Sequence, residues 1–184
     1  MGLSEKQKEA LKNNNMESNR LTREAIHQAF YLLMERQPFE EIRITDIIRK
    51  AGVSRSAFYR NYKTKEDIIK EIIDDFMDEF LRIAKHDIRY NWTFGFGYFR
   101  RHRDEMNLIL KAHMEYLILD RINEGLKVNE KAEDLLPALN YGIVFNVMMY
   151  WARCGMPFTD EEAALRMADT YRHLIKDIEP ELKG

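Results

Sequence analysis

A chain of 184 residues, 45% hydrophobic and 33% charged, holds material for one large domain or two small ones and is too apolar for a disordered polymer. Its net charge of −2 hides an asymmetry: residues 1–65 carry 13 Lys and Arg against 8 Asp and Glu, a net of +5, while the remainder carries −7. No apolar run reaches the roughly 18 residues of a membrane span, the amino-terminus lacks a signal-peptide core, and the lone Cys154 has no disulfide partner, so a reducing cytoplasm is expected.

Residues 1–17 are polar, carry the run Asn13-Asn14-Asn15, and are expected to form a flexible tail, helical in part around Lys6 to Lys12. Ile26, Ala29, Phe30 and Leu33 then mark one face of an amphipathic helix over about 18–36, which Gln37-Pro38 ends. Two short helices follow, at about 44–51 and 54–61. Ile44, Ile47 and Ile48 give the first its apolar stripe, and Ala57, Phe58 and Tyr62 give the second its own. Gly52 supplies the sharp turn between them, and Ser54 offers a hydroxyl to cap the second helix. That pattern is a helix-turn-helix, whose second helix lies in the major groove of double-stranded DNA. The positive charge of residues 1–65 sits where phosphates would be met.

Ile68, Ile72, Ile73, Phe76, Phe80 and Ile83 predict a long helix from about 65 to 90, roughly 39 Å at the α-helical rise. Trp92 to Phe99 alternates aromatics with Gly95 and Gly97 as a strand would. No second strand pattern exists to pair with it, so a short broken helix is expected. Helices are also expected over 103–110, over 112–126 with a stop near Gly125, and from Pro137 to Arg153. Gly155-Met156-Pro157 ends that helix, and Thr159-x-x-Glu162 opens a last one to about Ile178 as a capping box. The expected fold is therefore all-α: a flexible tail at 1–17, a helix-turn-helix domain at 18–65, and a helical body at 66–184.

The stretch Ile47 to Glu66, read IIRKAGVSRSAFYRNYKTKE, resembles the signature of the tetracycline-repressor (TetR) family of bacterial transcription regulators. Counting the helix before it, the resemblance covers about a quarter of the chain. Chain length and the long helix after Lys65 also resemble that family. Ala57 stands where the family usually has Thr, Asn61 where it often has His or Tyr, and Arg43 where Ser or Thr often caps the motif's first helix. The resemblance implies a regulator that binds a palindromic operator as a homodimer and releases it on binding a small-molecule inducer; no other cofactor is expected.

The candidate base readers are Arg55 and Ser56, in the exposed first turn of the recognition helix; an Arg matches guanine O6 and N7 with two parallel donors. Tyr59 is expected to donate its hydroxyl to a phosphate, a role the resemblance supports. Lys65 is expected to hold another phosphate at the start of the long helix, where free N–H groups also favour an anion. Arg43, Thr45, Ser54, Arg60, Asn61 and Lys63 complete the candidate contacts, most of them to the DNA backbone, which positions without reading. Phe58 and Tyr62 belong to the core of the head.

In the body, Trp92, Phe96, Met114 and Tyr116 are the candidate lining of an inducer pocket, since aromatics and Met between helices suit an apolar ligand. Tyr141, Gly142, Phe145, Met148 and Met149 on one late helix, with Leu165, Ala168, Tyr171, Leu174 and Ile175 on the next, are the candidate dimer interface, a four-helix bundle between two chains. Arg100-Arg101-His102-Arg103 reads as a solvated basic loop, Asp169, His173 and Asp177 as a salt-linked surface stripe rather than a metal site, and Cys154 as a buried inert thiol. An enzyme is not expected: the four serines all lie in the first 56 residues, and no Walker, G-x-S-x-G, C-x-x-C or H-E-x-x-H motif occurs. The competing expectation is an adaptor of the same fold that acts through protein contacts.

Overall fold

The structure, a computed structural model, describes residues 4–86, 92–124 and 136–178. Among them lie nine α-helices, one 3-10 turn and no strand, divided into two compact units, 1–71 and 72–184. The division falls between Glu71 and Ile72, within the fourth helix and six residues beyond the expected boundary.

In the first unit, α1 runs from Glu5 to Met34. Residues 5–17 were expected as a flexible tail; they are instead its opening turns. The Ser4 hydroxyl accepts from the Gln7 N–H and the Gln7 side chain accepts from the Ser4 N–H, a capping box. Ion pairs one turn apart, Lys8–Glu5 and Arg20 with both Glu17 and Glu24, add to it. After the 3-10 turn Phe39–Glu41 come α2, Ile44–Ala51, and α3, Arg55–Asn61, close to the expected bounds. Ile26, Phe30, Phe39, Ile47, Phe58 and Tyr62 form the core of this unit with Ile68 and Ile69 of α4, Glu66–His86.

In the second unit α4 continues with Ile72, Ile73, Phe76 and Met77 buried. Then come α5, Trp92–Arg101; α6, Arg103–Lys111; α7, Tyr116–Glu124; α8, Leu136–Arg153; and α9, Asp160–Ile178. The aromatic alternation of residues 92–99 is unbroken helix. Gly95, Phe96, Gly97, Tyr98 and Phe99 are all buried, so α5 is covered on every side and no polar face survives to show a helical period. Tyr98 donates its hydroxyl to the Phe76 carbonyl at 2.7 Å, and its ring lies 5.0 Å from that of Phe76. Burial, with the Glu79 carboxylate nearby, raises the Tyr98 phenol above its ordinary range, so it stays a donor.

Arg100 was expected in a solvated loop and is a clasp instead. Its guanidinium donates to Asp160 at 2.6 Å and to the carbonyls of Phe158 and Met156, holding the start of α9 against α5. Gly97 leaves room for that approach, since a Cβ there would stand 3.1 Å from the Asp160 carboxylate. The helix expected from residue 112 starts at Tyr116, because Ala112 caps α6 and His113 takes a positive φ of 54°. Gly155 and Met156, both at positive φ, end α8 as expected, and Thr159 and Glu162 exchange the two capping bonds that open α9. Cys154 is exposed, not buried. Asp169 pairs with Arg172, and among the described residues no group of His, Cys, Asp and Glu is placed to hold a metal. No described helix is long and apolar enough to cross a membrane.

Candidate nucleic-acid interface

The turn between α2 and α3 is built by two residues. Gly52 adopts φ 67°, the left-handed conformation that a Cβ disfavours, and the N–H groups of Gly52 and Val53 both reach the Ile48 carbonyl. Ser54 then caps α3, its hydroxyl accepting from the Ala57 N–H at 3.1 Å. Behind α3, the Tyr62 hydroxyl donates to Glu71 at 2.5 Å and lies 3.0 Å from His27 Nε2, while Arg23 pairs with the same carboxylate. These bonds tie the end of α3 to α1 and to the start of α4, and Phe58 anchors the middle of α3 in the core with no exposed surface. The recognition helix is short, seven residues, and is therefore held by tertiary bonds rather than by its own propensity.

That anchoring decides which side chains remain outside. Arg55, Ser56, Tyr59 and Arg60 are exposed along α3; Arg43 and Thr45 are exposed at the start of α2, and Lys63 follows α3. Tyr59 stands 51% exposed with its ring edge-on to Phe58 at 5.4 Å, which stiffens it without engaging its hydroxyl. Ser54 and Ser56 share a hydroxyl contact of 3.0 Å, so Ser54 is occupied by its cap and Ser56 is the freer of the two. The Asn61 amide donates to the Ala57 carbonyl at 2.9 Å and is largely spent on the helix end.

Lys65 departs from expectation. Its ammonium turns inward, donating to the carbonyls of Phe39, Glu40 and Ile42 at 2.5, 3.2 and 3.1 Å, and sits 4.3 Å from the centre of the Phe39 ring. A lysine has three donors, and all three are committed, so none is left for a phosphate. Several N–H groups around that helix start are occupied as well. The Asp67 carboxylate accepts from the backbones of Lys63 and Thr64 at 2.9 Å each, and the Thr64 hydroxyl accepts from the Asp67 N–H at 3.3 Å. Burial opposes the charge on Asp67, but the N–H donors of Thr64 and Lys63 outweigh it and hold the carboxyl below its ordinary range. The pattern Thr64-x-x-Asp67 was there to be read as a cap.

In the body the candidate residues divide. Phe96 is buried with its ring 4.9 Å from Trp151, Met114 is buried, and Trp92 is half-buried. Tyr116 is 53% exposed and belongs to the surface, not to a pocket wall. Of the expected interface residues, Met148 and Met149 lie in the core of their own chain at 1% and 2% exposure. Tyr141, Gly142, Phe145, Ala168 and Tyr171 keep partial or full exposure, and Leu165 stands 67% exposed. The side chains of Leu174 and Ile175 lie outside the described residues. Tyr150, 72% exposed, and Leu139, 56% exposed, were not anticipated. They share one face of α8 with Asn146, at spacings of four and seven residues.

Residues 31–72 match the family described as bacterial regulatory proteins, tetR family. An uncharacterised HTH-type transcriptional regulator of Bacillus subtilis strain 168, YxbF, is 42% identical over 53 residues, which is 28% of this chain but only 14% of that protein. Two crystal structures are similar over most of the chain. Lin0861 from Listeria innocua superposes with a TM-score of 0.66 at 18% identity, covering 84% of this chain and 91% of that one. A TetR transcriptional regulator from Streptococcus agalactiae 2603V superposes with a TM-score of 0.58 at 21% identity, covering 86% and 98%. The helix-turn-helix region therefore matches the tetR family of bacterial regulatory proteins, and the chain as a whole shares its fold with these solved structures.

Proposed function

We propose that the chain is a transcriptional regulator whose α3 enters the major groove of an operator, and that it acts as a ligand-responsive repressor. The observation that carries this is the outer face of α3: Arg55, Ser56, Tyr59 and Arg60 all project to solvent from a helix pinned behind by Phe58 and Tyr62. Rigid presentation matters, because bidentate readout by arginine needs a fixed base plane and a fixed helix. An adaptor docking on protein has no comparable need for a polar, cationic reading face. Against a site selected from genomic fragments, Arg55→Ala is expected to lose about 5- to 150-fold in affinity, the roughly 1–3 kcal/mol of a good base contact, and to relax preference at one position of each half-site. Unchanged affinity and unchanged preference would return the adaptor reading to first place.

One recognition helix reads few base pairs, so two chains on a palindrome are required for operator-grade selectivity. The proposed interface is the exposed apolar surface of α8 and α9, with Tyr150 and Leu139 added to the residues anticipated from sequence and Met148 and Met149 removed. The double variant Tyr150→Glu with Leu165→Glu is expected to convert a dimeric mass to a monomeric one in light scattering, with helicity unchanged. A mass that does not move sinks this interface. The inducer, an apolar small molecule held in the body, acts through α4, the one helix that contributes residues to both units. It shifts the population only as far as its affinities for the two poses differ.

A further inference from the structure

We propose that the amino-terminal half of α1 is a second DNA-contacting element, meeting backbone phosphates beside the stretch that α3 reads; the proposal rests on the reading of the head as DNA-binding. α1 begins at Glu5, yet its first buried residue is Ile26. More than five turns, about 30 Å at the helical rise, therefore precede the first buried residue, with only Thr22 and Ala25 partly covered before it. A helix gains little from propensity alone, so such an overhang needs a use for its surface.

Its surface has one. A groove of about 770 Å³ runs along this half of α1, lined by Lys8, Lys12, Asn15 and Asn19 among others, and closed by Arg60 of α3. Lys8, Lys12, Asn15 and Asn19 recur at spacings of four, three and four, so they occupy one face of the helix. No carboxylate lines the groove, although Glu5, Glu9 and Glu17 lie on the same helix. Three cations with amide and hydroxyl donors are the side chains that bind phosphate and sugar rather than base edges. Arg60 is itself an exposed residue of α3, so the groove reaches the helix that carries Arg55, Ser56 and Tyr59.

A second copy of the chain fits this surface less well. The exposed apolar residues Leu11, Met16 and Leu21 do not recur at the three- and four-residue spacing of a helix-pairing seam. The ion pair that Lys8 makes with Glu5 is fully at the surface, and such pairs exchange readily for a phosphate.

The test uses the full chain and its selected operator, with affinity measured by fluorescence anisotropy between 50 and 200 mM salt. Lys8→Ala with Lys12→Ala is expected to flatten the slope of log affinity against log salt by about 1.8, two contacts at about 0.9 each. Across that salt range the unsubstituted chain should lose about tenfold more affinity than the variant. Specific and random duplexes should weaken alike. Lys8→Arg with Lys12→Arg should keep the slope, which separates lost charge from lost fold. An unchanged slope for the alanine pair with its helicity intact overturns the proposal, as does a change in self-association in place of DNA affinity. If the unsubstituted chain itself shows no salt-sensitive DNA binding, the reading of the head fails, which is a separate result.

Discussion

Phe58→Ala should unfold the first unit while the second stays folded. Phe58 has no exposed surface, and its ring meets Tyr59 edge-on at 5.4 Å and Tyr62 at 5.8 Å. It is the only buried side chain within α3, so it anchors the middle of that helix while Tyr62 ties down its end. Truncating a buried phenylalanine costs about 3–5 kcal/mol, from lost transfer free energy and from the cavity left behind. A unit of 71 residues has stability of the same order, because small units bury a smaller share of their surface. Both tryptophans, Trp92 and Trp151, lie in the second unit, so their fluorescence reports on that unit alone, whereas circular dichroism reports on both. In urea, the variant should lose part of its helical signal well before its tryptophan signal changes, and operator binding should disappear with the early phase. Phe58→Leu should restore most of the loss. Coincident transitions at the midpoint of the unsubstituted chain would show that Phe58 is not the anchor of α3.

What could be read from sequence follows the range of the interactions involved. Gly52 and Ser54 act on atoms within five residues of themselves, so a left-handed turn and a cap were visible as letters. The two short helices, the end of α8 at Gly155 and the Thr159 cap are legible for the same reason. Lys65 was misassigned because its partners lie 23 to 26 residues earlier, in a turn whose carbonyls converge only after folding. Residues 92–99 were expected to be helical but broken, and only the break was wrong: amphipathic period is a record of one-sided burial, and the middle of α5 is buried on all sides. Met149 could not be told from Tyr150 by composition. Their side chains point in directions about 100° apart on α8, one into the core and one into solvent, and only packing decides which. The amino-terminal turns of α1 lacked any apolar stripe, so their helicity rests on a cap and on ion pairs that hydrophobic pattern does not register.

Lys65→Met should destabilise the first unit by about 2–3 kcal/mol, and this separates a structural lysine from a phosphate contact. Methionine keeps the length of the stem over the Phe39 ring but removes the ammonium, leaving the carbonyls of Phe39, Glu40 and Ile42 without their shared donor. Those carbonyls end the 3-10 turn that feeds α2, so their repulsion would loosen the chain just ahead of the helix-turn-helix. Lys65→Arg should not rescue it. A guanidinium spreads its donors in a plane, whereas these three oxygens surround a single point. A lysine spent on phosphate would behave in the opposite way: full stability, weaker operator binding, and a salt slope flatter by about 0.9. The inward geometry predicts an earlier urea midpoint in the first transition and, for molecules still folded, an unaltered salt slope. An unchanged midpoint with a flattened slope would mean that the ammonium leaves its carbonyls to meet DNA. The three bonds to Phe39, Glu40 and Ile42 would then be a resting position rather than a brace.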